Sequence, residues 1–251
     1  MIAWREKFRA FGIHFALTLL LAAGAAWIIF GLWFPVPFAA MVGGYELFFL
    51  VVGCDLALGP LMSLVIYNSR KSRRELILDY SIVAIIQLAA LVYGVSIISG
   101  SRPVYVAFSH DRLEVVSAAD ISPTELAAAR DPRYRSLPMT GPQLVAILVP
   151  AAQNNDALFE SLKGNEEHQR PKFYVPYESQ LDAILKSALP LVDLEKRHPQ
   201  SKALLAGARA KSGLPDARLR WLPVHCRQAF WTVLVDSQSG TPMAYVKIDP
   251  Y

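Results

Sequence analysis

Few side chains in this sequence combine a reactive type with a setting that suits chemistry. Asp55 and Gln87 interrupt long apolar runs, where a carboxyl group is rare and an amide needs a partner. His225-Cys226 is the one pair resembling a base beside a thiol. A nucleophile of that kind also needs an orienting third group, and adjacent strand residues point to opposite faces. Glu166-Glu167-His168 sits in a polar stretch and reads as a solvated loop rather than a metal site. There is no Gly-rich phosphate loop, His-Glu-x-x-His, Cys pair, Gly-x-Ser-x-Gly elbow or EF-hand loop. The residues therefore nominate no catalytic group, no metal ligands and no cofactor.

The elements that place Asp55 and Gln87 are membrane spans. Between Phe11 and Tyr67 the only full charges are Glu46 and Asp55, whereas residues 101–251 carry 18 Lys/Arg and 16 Asp/Glu, an ordinary soluble density. The change at Ser99-Gly100-Ser101 is a change of solvent. It divides a three-helix transmembrane domain, 1–100, from a soluble domain, 101–251. The spans are read at about 11–34, 45–67 and 76–99, each long enough for ~30 Å of hydrocarbon. Ala23-Gly24-Ala25 also fits a signal-peptidase site, but the apolar run continues to Trp33 and favours a span. Pro35-Val36-Pro37 ends it.

Basic residues flank the spans at Arg5, Lys7, Arg9 and at Arg70, Lys71, Arg73, Arg74; the first connector has none. Positive-inside bias puts the N-terminus and the basic loop in the cytoplasm and everything after Ser99 outside. The net charge of +4 is shared between these flanks and a soluble domain without a basic patch, which excludes nucleic-acid binding. Only about ten tail residues and about eight loop residues then face the cytoplasm, which argues against cytoplasmic chemistry.

Asp55 falls about ten residues, ~15 Å of helix, from the outer end of its span. At that depth a carboxyl costs ~2.5–3.5 kcal/mol and faces protein or water. Gln87 lies at similar depth, so an Asp55–Gln87 hydrogen bond is geometrically reasonable. Gly59-Pro60 follows one turn on, and Pro60 has no N–H for the Leu56 carbonyl, so a kink or break is expected there. The cluster reads as a docking point for another polypeptide's helix, as a mobile element, or as a protonated Asp55 tying two helices of one bundle together. His14 is read as interfacial.

In the soluble domain, 104–108 and 112–116 alternate around Ser109-His110-Asp111 as a hairpin. Ser122-Pro123-Thr124-Glu125 starts a short helix. Residues 144–149 are a buried strand; 156–162, 179–189 and 202–211 are helical; 218–224, 231–236 and 243–248 form a meander. An α+β domain with an antiparallel sheet is expected. Cys54 and Cys226 are too few for a disulfide framework.

Trp33-x-Pro35-x-Pro37, Gly44, Asp55-x-x-x-Gly59-Pro60-Leu61, Lys71, Leu78-Asp79, Gln87, Ala90-Leu91-x-Tyr93-Gly94, Arg102-Pro103-Val104 and Arg112 follow one another in order. Arg220-Trp221-x-Pro223, Trp231 and Gly240-x-Pro242 come later. This pattern resembles the TfpX/TfpZ family of type IV pilin accessory proteins, related to FimB-type fimbrial accessory proteins. The resemblance implies a non-enzymatic protein of the bacterial inner membrane, without cofactor. Its partner would be the cognate major type IV pilin, met through the pilin's transmembrane helix and its periplasmic head. Asp55, Gly59, Pro60, Gln87, Trp33 and Arg102 become the candidate partner-binding residues. The sheet is expected to hold the pilin head by edge-strand addition. Two other classes stay open: a membrane-anchored periplasmic enzyme or thiol-redox factor, and a periplasmic sensing or scaffold module.

Overall fold

A computed structural model describes residues 4–68, 71–227 and 229–251, so Ser69 and Arg70 of the basic loop lie outside the described residues. The chain divides into two compact units, Met1–Ser101 and Arg102–Tyr251.

The first unit holds three helices long and apolar enough to cross a membrane. Helix α1 (Trp4–Ile28) runs into a π-helical turn, Ile29–Trp33, closed by Phe34 N–H donating to the Ile29 carbonyl at 2.9 Å. The short α2 (Phe38–Met41) leads to α3 (Gly44–Ile66). Helix α4 (Arg73–Ser101) begins at a Ser72–Glu75 capping box, with Ser72 N–H to Glu75 Oε2 at 2.7 Å and Glu75 N–H to Ser72 Oγ at 3.3 Å. Helix α3 packs against both α1 and α4. Its inward stripe is Phe48, Val52, Gly59, Pro60 and Ser63, roughly four residues apart. Leu20, Trp27, Leu58, Val65, Ile85 and Val92 point outward and are exposed. Outward apolar side chains on helices with satisfied backbones suit lipid.

Two glycines set how closely the helices approach. A Cβ on Gly94 of α4 would stand 2.5 Å from Val51 Cγ1 of α3, and one on Gly59 would stand 2.0 Å from Gln87 Nε2. Small residues at these crossings let backbones come together. The helix α3 runs through Pro60 without a break. Polar contacts tie one end of the unit: Lys7 Nζ donates to the Leu64 carbonyl at 2.9 Å, and Lys71 pairs with Asp79 at 2.6 Å.

The second unit is built on one sheet of eight strands. They are β1 (Pro103–Ser109), β2 (Arg112–Ser117), β3 (Gln143–Ile147), β4 (Tyr174–Pro176), β5 (Leu189–Pro190), β6 (Leu219–Cys226), β7 (Ala229–Asp236) and β8 (Pro242–Val246). Their order is β4-β3-β1-β2-β6-β7-β8, with β5 paired to β6. The sheet is mixed, which corrects the antiparallel expectation. Hairpin neighbours β1–β2, β6–β7 and β7–β8 are antiparallel, but β1–β3 and β2–β6 are parallel. Tight turns force antiparallel pairing, while the long connections into β3 and β6 allow either direction.

Five helices complete the unit: α5 (Pro123–Ala127), α6 (Asn154–Leu162), α7 (Leu181–Ser187), α8 (Leu191–Arg197) and α9 (Lys202–Ser212). The cap of α5 is as its sequence predicts, with Glu125 N–H donating to Ser122 Oγ at 3.2 Å. One core gathers Tyr105, Tyr134 and Tyr174 edge to face, with centroids 5.0–6.2 Å apart. Burial pushes the Tyr105 phenol up to about 12. The other core surrounds Trp221 with Leu191, Leu194, Leu205, Leu234 and Val246.

The turn after β7 carries an ion pair whose pH dependence is predictable. Arg218 donates to Asp236 twice, Nη2 to Oδ2 at 2.5 Å and Nε to Oδ1 at 3.2 Å. These bonds hold the Asp236 carboxyl below its ordinary value, with Gln238 N–H and the Ser239 hydroxyl adding to the effect. A depressed folded-state value contributes stability above the unfolded carboxylate value of ~3.9, and that contribution is lost as pH falls through the folded value. Wild type is therefore expected to exceed Asp236→Asn in denaturation midpoint at neutral pH. The gap should narrow as pH drops below about 4; a gap constant with pH would contradict the assignment.

Candidate functional site

The polar side chains of the first unit converge from three helices. His14 and Thr18, one turn apart on α1, face the bundle, and Thr18 Oγ1 donates to the His14 carbonyl at 3.1 Å. His14 Nε2–H donates to Gln87 Oε1 on α4 at 2.8 Å, and Nδ1 accepts from the Ser63 hydroxyl on α3 at 2.6 Å. With the amide oxygen as acceptor, the proton of a neutral ring belongs on Nε2. His14 is thus a bundle-facing hub. Its four-residue spacing to Thr18 and Ala22 puts all three on one face, a relation that hydropathy alone does not reveal.

Gln87 is held on its other side by Gly59, whose bare Cα leaves room for the amide. Among the described residues the expected Asp55–Gln87 bond is not formed, and Gln87 Oε1 instead accepts from His14. Asp55 and Gln87 nonetheless line one cavity of about 210 Å³, with His14, Thr18, Leu21 and Leu88. Among the described residues the Asp55 carboxyl has no hydrogen-bond partner. Pro60 is buried next to Gly59 in α3. Trp33 is half-buried at the end of the π-helical turn and is not among the residues lining this cavity. Arg102 belongs to the second unit, where it is buried with Nη2 at 3.7 Å from Met139 Sδ. The structure thus sets Asp55 and Gln87 on one cavity and Gly59 against Gln87, with Pro60 outside the cavity lining. His14 and Ser63 are the participants that sequence reading missed; their spacing on separate helices was the only signal.

The pair His225-Cys226 is separated by the pleat. His225 Nδ1 lies 2.7 Å from Glu114 Oε2 across the β2–β6 seam. Cys226 is buried, its Sγ donating to the Ala229 carbonyl at 2.9 Å. The imidazole therefore does not activate the thiol, and Cys54 and Cys226 are not joined in a disulfide. Among the described residues no group of three or more His, Cys, Asp or Glu is arranged to hold a metal ion.

Three helices long and apolar enough to span a bilayer, with Asp55, His14, Thr18 and Gln87 set in a mainly apolar cavity, followed by a mixed-sheet unit, mark a membrane protein with a globular extension. Its relatives are specific. Residues 2–43 match the family model described as Fimbrial assembly protein FimB. A fimbrial assembly protein of serogroup I from Dichelobacter nodosus is 35% identical over 244 residues, 96% of this chain and 94% of the relative. The serogroup E1 protein of that organism is 34% identical over the same shares. The protein of its serogroups C1 and C2 is 42% identical over 118 residues, 47% of this chain and 90% of the relative. The chain belongs to the fimbrial assembly protein family. No solved structure matches it.

Proposed function

We propose that the protein is an inner-membrane accessory of type IV pilus assembly that binds the major pilin, stabilises it and promotes its incorporation into pili. The observation that carries this reading is the 35% identity to a fimbrial assembly protein across 96% of the chain. In this reading the N-terminus and the basic loop face the cytoplasm, following their Lys/Arg excess, and the globular unit is periplasmic. Lipid covers the outward helix faces. The pilin's apolar helix packs on the first unit, and one of its polar side chains enters the cavity to meet Asp55. Gln87 lines that cavity, and Gly59 leaves the room its amide occupies; Pro60, Trp33 and Arg102 are further candidate partner-binding residues outside that lining. The role is non-enzymatic, in keeping with a buried Cys226 that His225 does not reach.

Detergent co-purification of the tagged full chain tests this, with pilin as the expected dominant partner. Asp55→Asn keeps the shape and removes the acidic group, and should lower recovered pilin about tenfold, the effect of losing a ~1.4 kcal/mol contact. The variant itself should remain at wild-type level in the membrane. Equal pilin recovery with Asp55→Asn would remove Asp55 from the interface.

A further inference from the structure

One end of the helical unit carries more positive charge than its own side chains neutralise. Arg5, Lys7 and Arg9 stand in the opening turns of α1, and Arg73 and Arg74 in the first turn of α4. The N-terminal turns of a helix bear partial positive charge and favour anions, so cations placed there are locally unfavourable. The acidic groups nearby are already engaged. Glu6 Oε2 accepts from the Tyr67 hydroxyl at 3.2 Å, Glu75 closes the cap of α4 with Ser72, and Asp79 holds Lys71. Lys7 is taken by the Leu64 carbonyl. Arg5, Arg9, Arg73 and Arg74 are exposed, and among the described residues none of them enters an ion pair.

A further donor lies beside these cations. The Tyr67 phenol, bonded to Glu6, also feels the charge of Arg9 and the phenol of Tyr80 on α4. The Tyr80 ring is 6.4 Å from that of His14 on α1, so this face of α4 looks toward α1. Its hydroxyl is shut off from solvent and has no hydrogen-bond partner among the described residues, a costly state for a buried donor. Arg73, two helical turns before Tyr80, shares that face. Guanidinium groups and an unmet hydroxyl all call for one chemistry, an oxyanion that only accepts. The surroundings say what carries it. Trp4 and Phe8, rings 6.1 Å apart, are exposed beside Arg5 and Arg9, and Ile77 is exposed one turn from Arg73. Aromatic and basic side chains together at the end of an apolar span mark the headgroup level of a bilayer.

We propose that this end of the helical unit binds an anionic phospholipid between α1 and α4. Arg9, Arg73 and the Tyr80 hydroxyl hold its phosphate, Arg5 and Arg74 add to the positive field, and the acyl chains lie along Phe8 and Ile77. The site stands apart from the pilin-assembly reading, since its ligand is a lipid. The test uses the tagged full chain in mild detergent, with phosphatidylglycerol, phosphatidylcholine or inorganic phosphate added. Thermal unfolding and native mass spectrometry read binding. Phosphatidylglycerol is expected to raise the melting temperature and to stay bound in the mass spectrum, whereas the other two do neither. Arg9→Gln and Arg73→Gln should each weaken phosphatidylglycerol about fivefold, and Arg9→Lys should keep most of the binding. Tyr80→Phe breaks no internal hydrogen bond, so it should melt like wild type without lipid and still bind phosphatidylglycerol more weakly. An equal response to phosphatidylcholine overturns recognition of the anionic headgroup. An equal response to inorganic phosphate makes this a site for free anions and overturns the lipid assignment. Phosphatidylglycerol binding unchanged in both glutamine variants puts the lipid elsewhere and overturns the site.

Discussion

Gly59→Leu is expected to destabilise the helical unit by roughly 2–3 kcal/mol, combining an overpacking cost with the loss of an interhelical hydrogen bond. A Cβ at this position would already stand 2.0 Å from Gln87 Nε2. The amide can swing aside only by releasing His14 Nε2, to which its oxygen is bonded at 2.8 Å. The substitution therefore costs more than a local clash. It opens the His14 hub and shifts the wall of the cavity beside Asp55. Thermal unfolding of the full chain in detergent reads the effect directly. Shortening the obstructing side chain supplies the internal control. Gly59→Leu combined with Gln87→Ala should be less destabilised than the sum of the single variants, since the two share one contact. Strict additivity would show that the helices do not meet there as described.

Trp221→Ala should have the largest effect in the globular unit, about 3–5 kcal/mol. The ring is almost wholly buried among side chains from β6, β7, β8, α8 and α9. Its Nε1 donates to the Pro190 carbonyl at 3.0 Å, which pins the two-residue strand β5. Arg197 covers the ring at 5.9 Å. Removing the indole leaves a cavity and an unpartnered carbonyl at once. For a unit of this size the melting temperature should fall by about 10 °C. Trp221→Phe fills most of the space and should recover part of the loss, though not the bond to Pro190. A protease-resistance midpoint for the unit that is unchanged in Trp221→Ala would refute this account of the core.

Much of the architecture was legible because its signals are local. Pro35-Val36-Pro37, the Lys/Arg flanks and the uncharged runs place the second and third long helices to within three residues and the end of the first, whose start at Trp4 lies seven residues before the reading. Ser109-His110-Asp111 announces the first hairpin and Ser122 the cap of α5. Strands β4 and β5 escaped, since three and two residues give no period to read. Helix α8, seven residues after Pro190, carries too short an apolar pattern to stand out. The parallel pairings were illegible for another reason: nothing in β3 or β6 records which distant strand it will meet. The cavity beside Asp55 shows the same divide. Asp55, Gly59, Pro60 and Gln87 announce themselves by type within apolar runs. The choice of His14 over Asp55 as the partner of Gln87 depends on helix rotation, which no single segment encodes.

The seam between β2 and β6 has a consequence in time. It joins Leu113 to Val224 and Glu114 to His225, the latter pair 111 positions apart. The β1–β2 hairpin has only nearby contacts to make, as has the β6–β7–β8 meander, so each is expected to form early. Their union must wait until residues near 225 have been synthesised. Until then β2 is an unguarded margin, open to any extended chain that passes. Synthesis of the last thirty or so residues is thus the step that commits this half of the molecule, and a chain stalled short of it would be the natural substrate for quality-control proteases.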